Sequence, residues 1–330
     1  MQPTLLALLA CVALQSASPQ KPQRPAKTGV ATAGIKIPMS KLVPDAVFDV
    51  PGVPDWLAVD EDVWVSNEPK NSVSRLDPKT NKVRATIAVG KEPGAGLAVG
   101  FGSLWVPNCG DSTISRIDLA KGEVSATIPC TIADSEGGLA TGAGSVWVVL
   151  GSQDKLARID PATNKIAAEI EIAPGSVSAA FGEGAVWVTS PQKSVLSRVD
   201  PATDKLVETI PVGKKPRFLA VGEGSVWTLD QGEGTVTRVD ARTNKVVATI
   251  AAGIPGGGGE ICVGEGSVWA TVFEYPITRI DPATNQVVQQ FQGQGGDSIR
   301  VGHGSVWLSN VRGASVWRLD VKKLVATKAD

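Results

Sequence analysis

Residues 96–129 read GLAVGFGSLWVPNCGDSTISRIDLAKGEVSATIP. Within them GLAVG, SLWVPN, STISRID and EVSATIP are short runs rich in Val, Ile, Thr and Trp. They are separated by Gly, Asn and Asp, residues that close tight turns. The stretch therefore predicts four antiparallel strands, a to d. The unit recurs along the chain: Trp64, Trp105, Trp147, Trp187, Trp227, Trp269 and Trp307 are spaced by 41, 42, 40, 40, 42 and 38 residues. The neighbours of each Trp recur as well, in FGSLWV, AGSVWV, EGAVWV, EGSVWT, EGSVWA, HGSVWL and the variant EDVWV.

A period near 40 built from four short strands is the pattern of a radial β architecture. The expected fold class is all-β, a seven-bladed β-propeller of four-stranded antiparallel blades. Strand a lies innermost, and the tryptophans fill the space between blades. A linear solenoid with capped ends is the rival. A ring must close, or it exposes sheet edges. Two segments compete for the outermost strand of blade seven, AVFDV at 46–50 and LVAT at 324–327. The first is preferred because it leads into blade one as every other d strand leads into its successor. The c-to-d turn recurs as DPKTNK, DPATNK, DPATDK, DARTNK and DPATNQ. One carboxylate per hairpin falls far short of a calcium site, so these residues read as turn formers.

The 36 Gly among 330 residues fit a turn-rich fold, and 32 Lys plus Arg against 33 Asp plus Glu give no broad pull on nucleic acid or anionic membrane. One His and four Cys exclude a multi-His metal centre. Residues 5–14, LLALLACVAL, are too few to span a bilayer. With the small residues after them they read as a signal peptide over 1–17, so the expected location is secreted or periplasmic, with no transmembrane segment in the mature chain. Lipidation at Cys11 is the alternative. Residues 18–45 form a Pro/Lys-rich linker, an extended tether or a leader laid on the surface, and the propeller runs over 46–330. In an oxidising compartment Cys109 and Cys130, both at the mouth side of blade two, are expected to form a disulfide. Cys262 reads as a small buried residue.

The repeat, with L-A-V-G-x-G-S-V-W-V followed by S-R-I-D-P-A-T-N-K, resembles the YVTN or YncE-like propeller repeats. It is also similar to the virginiamycin B (streptogramin B) lyase group over residues 46–330. That resemblance implies a metal-assisted ring-opening elimination on a cyclic depsipeptide, using histidines in Pro-His-Gly-Ile-type turns before strand a. Here the matching turns are PDWLAV, PGAGLAV, SEGGLAT, SVSAAF, PRFLAV, GGEICV and GDSIRV, none with His. His303 sits instead in an a-to-b turn, where other blades carry Glu183, Glu223 and Glu265, on the face opposite the d-to-a loops.

Where repeats agree they serve the fold, so function is sought where one copy departs. Before strand a, blades two to four carry the small pairs Ala95-Gly96, Gly137-Gly138 and Val177-Ser178, whereas blades one, five, six and seven carry Asp55-Trp56, Arg217-Phe218, Gly259-Glu260 and Asp297-Ser298. Within strand a, Ala58, Ala98, Ala140, Ala179, Ala220 and Cys262 give way to Arg300. A guanidinium there must meet water or an anion, and Asp297 is the expected partner. The b-to-c loops add Asp230, Glu233, Phe273, Glu274, Tyr275, Asn310 and Arg312. The expected binding set is Asp55, Trp56, Arg217, Phe218, Glu260, Asp297, Arg300 and Tyr275. It would line an asymmetric bowl at the mouth, with room on the small-residue side. The expected function is non-catalytic binding, without cofactor and as a monomer, of a small molecule, glycan, peptide or protein partner. The bland reading is a hydrated ion-pair network plugging the channel. The alternative is a lyase or hydrolase using Asp55, Glu260 and Asp297, with a divalent cation. The Gly256–Gly259 run precedes a strand, so no helix N-terminus is there to cradle phosphate.

Overall fold

The computed structural model describes residues 26–94, 96–133, 137–151 and 154–329. The expected signal peptide and Cys11 lie outside the described residues. Seven sheets stand around one axis, and their innermost strands are Val53–Val59, Ala98–Gly100, Leu139–Gly142, Ser178–Gly182, Pro216–Gly222, Glu260–Gly264 and Ile299–Gly302. Each packs on the next, and Ile299–Gly302 packs on Val53–Val59, so the array is a closed ring and not a solenoid. No helix among the described residues is long and apolar enough to cross a membrane.

Closure uses the N-terminal segment. Ala46–Asp49 pairs antiparallel with Ser315–Asp320 as the outermost strand of blade seven, Ala46 opposite Arg318 and Asp49 opposite Ser315. The rival segment is helical: Leu324 belongs to Val321–Ala326, capped where the Lys323 N–H donates to Asp320 Oδ1 at 3.0 Å. Gln289 of blade six donates to the carbonyls of Leu324, Val325 and Thr327, which seats this helix against the preceding blade.

Packing begins earlier than the linker boundary at residue 45 suggested. Lys36–Pro38 adds a fifth strand, parallel, to the outer edge of blade six. Ile37, Met39 and Leu42 are buried with Phe291, Leu319 and Leu324. In KIPMSKL the Pro and Lys residues mask an apolar alternation that covers an otherwise open sheet edge.

The seven repeated tryptophans are fully buried, and each stands directly opposite an Arg on strand c. In six blades the guanidinium lies 4.7–5.8 Å from the indole centre. Except for Arg279, the strand c Arg then reaches the c-to-d turn of the next blade. Arg116 Nη1 donates to Pro161 O and to Asn164 Oδ1 at 2.9 Å. Arg238 Nη1 donates to Pro282 O at 2.6 Å and Asn285 Oδ1 at 2.9 Å. Arg318 does the same with Pro78 and Asn81, across the seam between blades seven and one. The Asn of DPATN thus has two tasks: it takes the left-handed conformation of the turn, φ near 57°, and offers an acceptor to the neighbouring blade.

This latch is testable by urea denaturation. Arg238→Ala is expected to cost about 2 kcal/mol. Asn285→Gly keeps the left-handed backbone and deletes only the acceptor, so its expected cost is about 1 kcal/mol. An unchanged midpoint in both variants would show that the blades are held by apolar packing alone.

Candidate functional site

Along each innermost strand the side chains are buried at the d-to-a end and increasingly exposed toward the a-to-b turn. Val59, Val99, Thr141, Phe181, Val221, Val263 and Val301 are all partly exposed at that second end. The burial has a visible cause. Trp56 of blade one (4% exposed) and Phe218 of blade five (1%) meet on the axis with ring centres 6.1 Å apart and planes tilted by 53°. Trp56 also reaches blade three, where a Cβ on Gly137 would stand 3.0 Å from Cη2 of the indole. Arg300 of blade seven lies 5.5 Å over the Trp56 ring, and Arg217 lies 5.6 Å over Phe218.

The mouth is therefore stoppered rather than bowl-shaped. The small residues of blade three leave room not for a ligand but for an indole from across the ring. Beneath the stopper a cavity of about 320 Å³ occupies the channel, walled by Ala58, Ala98, Leu139, Ala140, Ala179 and Phe181. It faces the a-to-b turns, the end taken in the sequence as the reverse side.

The polar corner of this channel is Arg300 with Glu260. Arg300 Nη1 pairs with Glu260 Oε1 and donates to the Ile299 carbonyl at 2.8 Å. Glu260 Oε2 accepts the Ser298 hydroxyl at 2.5 Å and the Ile299 N–H at 3.2 Å. Burial opposes these donors and prevails, so the Glu260 carboxyl is pushed up to about 7. Ser298, aligned before strand a of blade seven, is absent from the expected binding set; its signal is its place two residues before the exceptional Arg300.

Asp297 is not the partner of Arg300. Three residues apart on an extended chain, the two point to opposite faces. Asp297 accepts the Gly259 N–H at 3.3 Å and shares a side-chain hydrogen bond with Asp55. Burial raises its pKa, and a hydrogen bond between two carboxyls requires a proton on one of them. This pair lines a shallow depression with Trp56, Gly259, Glu260 and Ser298.

Other expected site residues go elsewhere. Tyr275 is buried beneath the leader, where a Cβ on Gly29 would stand 2.8 Å from its hydroxyl, and it does not line the channel. Arg217 backs Phe218 without lining the cavity. Asp230 accepts hydroxyls from Thr228, Thr235 and Thr237 at 2.7, 3.1 and 2.6 Å, tying strand b to strand c, and burial lifts it to about 6. Asn310 Oδ1 accepts the Gly296 N–H at 3.1 Å.

Cys109 and Cys130 fall in one apolar cluster but are not joined to each other. The Ser112 backbone bonds to both, and Cys130 remains a thiol that burial pushes up to about 11. His303 Nε2 stands 2.7 Å from the Asp60 carbonyl in the next a-to-b turn, a link between blades. The metal implied by the lyase resemblance does not fit these residues. Among the described residues no three His, Cys, Asp or Glu side chains converge on a metal position.

No family model and no curated protein matches the chain. Solved structures do. A streptogramin B lyase superposes with a TM-score of 0.70 at 22% identity, over 83% of this chain and 96% of that one. The virginiamycin B lyase of Staphylococcus aureus gives 0.70 at 17%, over 83% and 98%. The hydrazine synthase of Kuenenia stuttgartiensis gives 0.67 at 15%, over 82% and 96%. At such identities the likeness establishes the seven-bladed propeller, a scaffold that hosts different chemistries.

Proposed function

We propose that this propeller binds, without catalysis, a small molecule carrying one anionic group, taken into the axial channel from the a-to-b face. The observation that carries this reading is the asymmetry of one ion pair. Arg300 is 24% exposed toward the channel, whereas its counter-carboxylate Glu260 is 4% exposed. The guanidinium is backed by an indole and set in a wall of Ala, Leu and Phe. The lining side chains are mostly Ala, Val, Leu and Phe, but the surface that they and the backbone expose is more polar than apolar, and about 320 Å³ lies at the small end of the range of ligand pockets. The leader-like run at residues 5–14 supports a secreted or periplasmic setting.

A second reading, a lyase or hydrolase, draws on the Asp55–Asp297 pair, because a proton held between carboxyls suits acid–base work. That pair lines its own depression and not the channel wall. Asp297→Asn should therefore leave channel binding intact, and loss of binding in that variant would favour the enzymatic reading.

Calorimetry with benzoate and its neutral amide tests the main proposal. Benzoate is expected to bind, the amide not, and Arg300→Ala to weaken benzoate about tenfold or more. Protonation of Glu260 removes the internal counter-charge of Arg300, so affinity should rise as pH falls through about 7, and Glu260→Gln should abolish that dependence. Equal binding by Arg300→Ala would sink the proposal.

Stability supplies a further check. The Glu260 carboxyl lies above its ordinary value of 4.5, so its contribution is complete below 4.5 and is lost as pH rises through about 7. Urea midpoints of Glu260→Gln should lack that decline across the window; an identical slope in both proteins would refute the assignment.

A further inference from the structure

A second cavity, of about 710 Å³, lies at the rim between blades five, six and seven and shares no lining residue with the channel. Its walls are cationic. Among the described residues that line it are Lys27, Lys215 and Arg312 with the single carboxylate Glu274, a lining charge of +2 in a chain whose net charge is −1.

Two of the three cations are fixed in place. Lys27 Nζ donates to the Phe273 carbonyl at 3.0 Å. Arg312 lies 5.6 Å over the Phe273 ring and donates to Gln294 Oε1 at 2.7 Å. Like charges held together lower their energy by attracting an anion.

The glycine run is the remaining wall. A Cβ on Gly258 would run into the Phe273 ring, and one on Gly256 would stand 3.0 Å from the Lys27 side chain, whereas Gly257 faces open space. Gln231 Nε2 donates to the Gly258 carbonyl at 2.9 Å and pins the loop. The run that had no role as a helix-type phosphate cradle thus forms a close-packed backbone wall, and the leader supplies Lys27 opposite it.

We propose that this rim cavity is a second binding site, for a sugar-sized molecule bearing a phosphate or carboxylate group. The size excludes a lone inorganic anion as a filling ligand, since about 710 Å³ is in the range of whole small-molecule pockets. The lining is about evenly polar and apolar, with Pro255, the Phe273 ring and the glycines beside one amide, two amines, a guanidinium and the Glu274 carboxylate, and it suits a sugar, which has apolar C–H faces as well as hydroxyls.

Calorimetry at low ionic strength with glucose 6-phosphate, glucuronate and glucose tests it. At least one anionic sugar is expected to bind at least tenfold more tightly than glucose, and the better of the two identifies the anionic group. Lys215→Gln with Arg312→Gln should weaken it at least tenfold. Gly257→Phe, which fills the open space without a backbone demand, should abolish it while thermal unfolding stays unchanged. Glucose binding as tightly as both anionic sugars, no binding by any of the three, or an unaltered affinity in Gly257→Phe would overturn the proposal.

Discussion

Seven indole N–H groups lie in the interior between blades, and each must be hydrogen-bonded there because a buried, unpaired donor costs about 1–3 kcal/mol. Six of them donate to the carbonyl of the glycine five residues earlier, at 3.0–3.2 Å. That requirement fixes the a-to-b turn, which places strand b beside strand a, and it sets the indole where the strand c Arg can lie over it. The Arg in turn reaches the next blade. One donor requirement thus propagates into blade geometry and then into ring closure.

The exceptions follow the same logic. In blade one the glycine is replaced by Asp60, and Trp64 donates to its side chain at 3.0 Å. Asp62, standing where five of the other six blades have Ser, then pairs with Arg75 at 2.5 Å. The turn that Arg75 reaches in blade two carries Gly122, with φ +70° and no acceptor side chain, so Arg75 keeps only the carbonyl bond, to Leu119 at the position of Pro161. Blade seven has no c-to-d hairpin, and Arg279 turns inward to Gln289, whose amide holds the C-terminal helix.

The sequence therefore disclosed the ring almost completely. Strand order, seven copies and the N-terminal closure all follow from period, turn chemistry and the rule that edges be covered. The site was legible as a set of residues and not as an arrangement. Trp56, Phe218, Glu260 and Arg300 do converge, but the small residues facing them were read as empty space. Sequence shows that Gly137 is small; it does not show that an indole from two blades away fills the gap. Arg300 was given to Asp297 by proximity in the chain, when strand parity turns them apart and brings Glu260 in from the neighbouring blade. Tyr275 was misplaced because its partner, the segment around Gly29, was read without any packing of its own.

The axial stopper gives the two faces different characters. Tilted contact of Trp56 with Phe218, with Arg300 over the indole, closes the d-to-a end by cation–π and aromatic contact, and this leaves the guanidinium edge directed into the channel. A cation in that position needs a counter-charge, yet the counter-charge chosen is one whose own burial holds it near neutrality at about pH 7. A fully ionised, well-solvated partner would neutralise Arg300 permanently. A partner poised at its titration point leaves the guanidinium's remaining valence available, which is the electrostatic condition for an incoming anion to compete with an internal one.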